Sequence, residues 1–174
     1  LDFVAGVSAC SVGHSHPKVV KAVSEQAAQY MHVMVYGEYA QKPAVAYTKA
    51  LAAHLPDSLQ CTYLVNSGTE AIEGAIKLAR RATGRAGVVL EAIQGGAGFI
   101  TPSPGYLEAV KKRCNAVGAL LILDEIQPGF GRTGALFAFE HYQCTPDILV
   151  VGKGMGGGMP VGAFIASKKL MDML

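Results

Sequence analysis

The chain has 174 residues, 51% hydrophobic and 16% charged, with 21 glycines, no tryptophan and a formal net charge of +2. That excludes a disordered chain, which needs low hydrophobicity and high net charge, and the length points to one domain with a sizeable core. The longest basic run is the three residues Lys111-Lys112-Arg113, the net charge is small, and no apolar run reaches the length of a membrane span, so neither nucleic acid nor a membrane is an expected partner. The start carries no charged-then-apolar leader, which makes a cytoplasmic address the expectation. Cys10, Cys61, Cys114 and Cys144 form no CxxC pair and read as reduced, mostly buried thiols. The chain opens on Leu1 instead of Met and closes within a helix-like pattern, Lys168 to Leu174, which reads as a piece of something longer.

In chain order, His16-Pro17 starts a helix over Lys18 to about Met31, apolar at Val19, Val20, Val23 and Ala27. A second runs from about Pro43 to His54, stopped by Pro56. Tyr63-Leu64-Val65 is a short strand. A helix follows over Thr69 to Thr83, apolar at Ile72, Ala75, Ile76 and Ala79, with Gly84 just past its end. Then come a strand at Val88–Leu90, a helix over Gly105 to Val117, and strands at Ala119–Leu123, Ile148–Val151 and Val161–Ala166. Continuous apolar runs are the mark of strands covered on both faces. Alternation with helices predicts an α/β fold, a mostly parallel sheet with helices on both faces. Ligands of such sheets sit outside the carboxyl ends of the strands, so the polar residues after each strand are the candidates.

Three strand ends stand out. Asn66-Ser67-Gly68-Thr69-Glu70 follows the first strand. It reads as a capping box with Ser67 as N-cap and Glu70 reaching back, or as an anion cradle made by the Gly68 and Thr69 amides. Asp124-Glu125 follows Ala119–Leu123; paired carboxylates there are a turn cap, a Mg²⁺-holding acid, or a group held against a buried cation. Gly152-Lys153-Gly154 follows Ile148–Val151 and leads into Gly156-Gly157-Gly158, which leaves room around the lysine for something flat or bulky. It is not a Walker A lysine: Asp147 stands where the first glycine belongs, and Gly154 where Ser or Thr belongs. An anion cradle, a carboxylate and a lysine at three strand ends fit pyridoxal phosphate, which has a phosphate, a ring nitrogen and an aldehyde.

On these residues the chain resembles the class-III aminotransferases, fold-type-I pyridoxal-phosphate enzymes that include the acetylornithine and ornithine aminotransferases. The resemblance runs through Gly13-His14-Ser15-His16-Pro17, Asn66 to Ala71, Glu91-Ala92-Ile93-Gln94-Gly95, Leu123 to Gln127 with Gly129 to Gly134, Pro146-Asp147-Ile148 and Gly152-Lys153-Gly154. It implies an N-terminal segment over residues 1–45 and a partial cofactor-binding large domain over 46–174. Lys153 would form the Schiff base and act as base in the proton shift, while Asp124 would pair with the ring nitrogen. Gln127 would reach the ring 3-oxygen, and Ser67, Gly68 and Thr69 would hold the phosphate. Glu91 would support the ring's surroundings. No metal is implied, since His14 and His16 fall at a helix start. The implied reaction moves an amino group from an amino acid or amine, of ornithine type or related, to a 2-oxo acid in an intact homodimer. A truncated, inactive domain, an aminomutase and a decarboxylase are the alternatives on the same frame. Arg85 runs straight into Ala86-Gly87-Val88, where the family has a long segment with a ring-stacking aromatic-His-Gly motif. Gly96 and Val7 stand where some relatives have an acid and an aromatic, which leaves substrate preference open. The family continues past Leu174, and a sheet edge left by the missing segment would invite association.

Overall fold

A computed structural model describes residues 1–34, 39–85 and 87–174. Ala86, at the junction where the family's long segment is expected, lies outside them. In chain order the elements are α1 (Ala5–Ser8), α2 (Pro17–Gln29), α3 (Lys42–Ala52), β1 (Cys61–Val65), α4 (Gly68–Thr83), β2 (Val88–Glu91), α5 (Tyr106–Val117), β3 (Leu121–Asp124), β4 (Ile148–Val151), β5 (Gly162–Ala166) and α6 (Lys168–Met171). Short 3-10 turns occupy Ala138–His141 and Lys153–Gly156. The strands form one sheet in the order β1-β5-β4-β3-β2. β2, β3 and β4 are parallel, whereas β5 runs antiparallel to both β4 and β1. The fold is therefore α/β with a mixed, mostly parallel sheet: β1 to β4 point one way and β5 alone the other.

Alternation along each central strand divides the core in two. Leu121, Leu123, Leu149, Val151, Ala163 and Ile165 face one cluster with Leu51 of α3 and with Leu107 and Cys114 of α5. Ile122, Ile148, Val150, Phe164 and Ala166 face another with Ala71, Ala75, Leu78 and Ala79 of α4. Full burial of one large aliphatic side chain contributes about 1.5–3 kcal/mol. The three central strands carry most such residues and dominate the fold, while the edge strands β1 and β2 are mainly half-buried. Helix α4 shows why its residues form a helix where they do. The Ser67 hydroxyl accepts from Glu70 N at 3.2 Å, Gly84 closes the end at φ 68°, and Arg80 and Arg81 in the last turn suit the helix dipole.

Some expectations change in detail. Glu70 reaches one residue further back than a capping box requires, accepting from Asn66 N at 2.8 Å and not from Ser67 N. The thiols are all free, but only Cys114 and Cys144 are buried; Cys10 and Cys61 are half-buried. Strand β3 starts at Leu121 instead of Ala119 because the Asp147 carboxylate accepts from Leu121 N at 2.8 Å. Helix α2 stops at Gln29 because Tyr30 turns to extended backbone. His16 caps that helix through its ring nitrogen, and His14 bonds Asp2 at 2.7 Å. Among the described residues no helix is long and apolar enough to cross a membrane.

Candidate active site

Strands β1 to β4 share a direction, so their carboxyl ends open on one edge of the sheet. Ser67, Gly68 and Thr69 follow β1; Glu91 ends β2; Asp124 ends β3, with Gln127 in the turn beyond; Lys153 follows β4. All seven candidate residues are thus brought to one edge.

The geometry is tightest around Lys153. Its Nζ donates to Gln127 Oε1 at 2.9 Å. Its backbone takes φ 29°, in the left-handed region where a side chain costs about 1–3 kcal/mol. Gly152 before it lies against α4: a Cβ there would stand 3.7 Å from Gly68 Cα. Ile126 fills the space between these two glycines, since a Cβ on Gly68 would fall 2.6 Å from Ile126 Cδ1 and one on Gly152 3.4 Å from Ile126 Cγ2. The lysine and the start of α4 are therefore neighbours across one isoleucine.

The carboxylates are set by the sheet. Asp124 and Glu91 are register partners on adjacent parallel strands. Asp124 Oδ1 accepts from Ile126 N at 2.9 Å. Burial holds the Asp124 carboxyl above the usual carboxylate range; the Ile126 amide and the Lys153 charge pull it back, and the Glu91 charge adds to the rise. Glu91 is tied down by accepting from Gly95 N at 2.7 Å. Gly95 in turn packs on Gln127, where a Cβ would come within 2.6 Å of the amide carbon. The Gly68 and Thr69 amides donate to no partner among the described residues, and they sit at the positive end of a 16-residue helix.

This donor set fits pyridoxal phosphate. Free amides at a helix start, with no side chain on Gly68, make an anion cradle. A half-buried carboxylate suits a protonated ring nitrogen, and a lysine is placed next to both. Of two cavities, one of about 340 Å³ lined by Cys10, His14 and Val19 lies apart from these residues, and one of about 640 Å³ lined by Tyr63, Glu70 and Leu174 borders the start of α4. Of the seven candidates only Thr69 touches either.

Sequence reasoning missed Ile126 and the role of Glu125. Ile126 lies inside the recognised Asp124–Gln127 run, yet nothing in its type distinguishes a spacer from a core residue. Glu125 was visible as the second acid of a pair; which amides would satisfy it was not, because they come from residues 138 and 139.

The family described as aminotransferase class-III matches residues 1–85 and 83–174. The acetylornithine aminotransferases of Methanopyrus kandleri and Halalkalibacterium halodurans are 34% and 36% identical, each over 228 residues that cover 99% of this chain and 58% of the relative. The crystal structure of N-acetylornithine aminotransferase from Stenotrophomonas maltophilia is 31% identical, with a TM-score of 0.89, and is matched over 98% of this chain and 57% of its own. The chain thus spans somewhat over half the length of these relatives. The two matched stretches meet at the end of α4, and alignments of 228 residues against a chain of 174 mean that the relatives carry residues with no counterpart here.

Proposed function

From the premise that this chain belongs to the class-III aminotransferase family, we propose that it holds pyridoxal phosphate at the carboxyl edge of its sheet and transfers an amino group from an amino acid or amine to a 2-oxo acid. Enzymes of this family use that cofactor. The observation that carries the reading is a free helix start, a half-buried Asp124 and Lys153 gathered at the carboxyl ends of β1, β3 and β4 on one edge of the sheet. When bound, the cofactor supplies an electron sink that no side chain offers.

The rest is done by the chain. The Gly68 and Thr69 amides, aided by the dipole of α4, hold the phosphate, and the Ser67 hydroxyl keeps a hydrogen to donate while it caps the helix. The Asp124 carboxylate keeps a proton on the ring nitrogen, a task suited to a group whose burial strengthens its pairing with a cation. Gln127 orients the ring oxygen and steadies Lys153 Nζ. Lys153 would hold the cofactor through its Nζ, and the same amine would carry the proton that leaves the donor's Cα. Glu91 fixes the turn at Gly95 and so the back of Gln127.

The relatives' names favour an ornithine-type donor. A homodimer belongs to the same reading, supported by the exposed apolar side chains of the N-terminal segment, among them Phe3, Val4, Val20 and Val23. Four free thiols suit a reducing compartment such as the cytoplasm. A second reading, a cofactor-fold domain without catalysis, is favoured by the residues that relatives carry after α4 and this chain lacks.

The test supplies cofactor, a nitrogen-labelled amino donor and a 2-oxo acid. The expected result is label in the amino acid formed from the oxo acid, abolished by Lys153→Ala. Label moved to a different carbon of the donor's own skeleton would mean an aminomutase, and CO₂ release a decarboxylase. Bound cofactor with no turnover would favour the non-catalytic domain.

A further inference from the structure

The Asp124-Glu125 pair divides its labour. Asp124 opens on the candidate site, while Glu125, the next residue, is fully buried and is the one buried charged side chain among the described residues. Both of its oxygens are used: Oε2 accepts from Ala138 N at 2.8 Å and Oε1 from Phe139 N at 2.7 Å. Its backbone is engaged as well. Glu125 N donates to Val150 O of β4 at 2.8 Å, and Glu125 O accepts from Gly129 N at 3.0 Å. Gly129 folds so closely onto that carbonyl that a Cβ would stand 2.6 Å from it.

One residue therefore holds both ends of the loop 126–137. The loop leaves from the Glu125 backbone and returns to the Glu125 carboxylate. What it carries bears on Lys153. Gln127 takes the lysine amine at 2.9 Å. Phe130, at φ 56°, sets its Cβ 3.2 Å from where a Cβ on Gly154 would be. Arg132 reaches Ser11 Oγ at 3.0 Å. A loop with a left-handed non-glycine residue needs its ends fixed, since the strained conformation persists only when its surroundings over-determine it.

We propose that Glu125 is a positioning residue for the candidate site: its carboxylate closes the 126–137 loop into a clasp that holds Gln127 against the Lys153 amine. The inference rests on the reading of Lys153 as the group that attaches pyridoxal phosphate. A carboxamide in place of the carboxylate keeps one acceptor and turns the other into a donor facing an amide N–H, so one clasp bond is lost and a buried N–H is left without a partner.

The experiment measures how fast added pyridoxal phosphate attaches to Lys153, trapped by borohydride reduction and located by peptide mass, with a thermal melt of each protein. Glu125→Gln slows attachment about tenfold, as loss of a hydrogen bond to a charged group would. Gln127→Ala slows it comparably, and the double variant is no slower than Gln127→Ala alone, because Glu125 acts through Gln127. Ala138→Pro attacks the clasp from the other side by removing the N–H that bonds Oε2. Phe137 before it is already extended (φ −125°, ψ 144°), as a residue preceding proline must be, and proline suits the first position of a helical turn. It slows attachment as Glu125→Gln does. Losses that multiply in the double variant would overturn the proposal. So would a folded Glu125→Gln protein that attaches the cofactor at the parent rate, or loss of the folded state in both clasp variants. A parent chain that never labels at Lys153 would instead overturn the functional reading on which the inference stands.

Discussion

Burial pushes Glu125 from an ordinary carboxylate value of 4.5 up to about 7, although the Ala138 and Phe139 amides pull it down. The sign of its effect on stability follows. Between about pH 4.5 and about pH 7 the folded chain binds the Glu125 proton more tightly than the unfolded chain does. Stability is therefore greatest at the acid end of that window and falls as pH rises through it. Asp124, also raised by burial, adds with the same sign. We expect the melting temperature to decline from about pH 5 to about pH 7, and Glu125→Gln to flatten the decline while leaving the Asp124 share. A melting temperature that rises over this window would contradict the assignment. At this scale the site was partly legible. Lys153 and Asp124 announce themselves because an amine and a carboxylate beside buried strands need a reason to be there. The φ of 29° at Lys153 leaves no mark in the sequence, since only the surrounding fold can enforce it.

At the scale of elements, the site depends on how closely β5 approaches the turn that starts α4. A Cβ on Gly162 would stand 2.5 Å from Ser67 O and 2.8 Å from Ser67 C, both backbone atoms that cannot rotate aside. Gly162→Ala should cost about 1–3 kcal/mol, read as a lower urea midpoint, and should weaken phosphate binding by displacing Ser67 and Gly68. Gly96 is the control: a Cβ there meets nothing within 4 Å, so Gly96→Ala should stay within about 0.5 kcal/mol of the parent. Equal midpoints for the two variants would show that the close approach is not part of the folded state. Helices α2 to α5 were legible as elements, α4 most clearly because its period, cap and stop agree at Ser67 and Gly84. The 3-10 turns at Ala138–His141 and Lys153–Gly156 were not, because four residues carry no period.

Across the whole molecule, the apolar runs revealed the sheet but not the direction of β5. A buried strand has the same composition whichever way it runs. The signal lay in the connection instead. Only residues 152–161 join β4 to β5, fewer than the dozen or so that a parallel crossover takes. An antiparallel return was the available solution. The position of β1 beside β5, at the opposite end of the sheet from β2, depends on pairing across most of the chain, which no local pattern encodes. The consequence for function is large. With β5 reversed, β1 and β4 flank its start, so the start of α4, the proposed phosphate cradle, and Lys153 meet across Gly162, Gly152 and Ile126.

That meeting is tested most directly by crystals of the chain grown with pyridoxal phosphate. We expect density continuous with Lys153 Nζ, a phosphate on the Gly68 and Thr69 amides, and the ring nitrogen against the Asp124 carboxylate. Cofactor density joined to another lysine, or a ring whose nitrogen faces away from Asp124, would contradict this expectation.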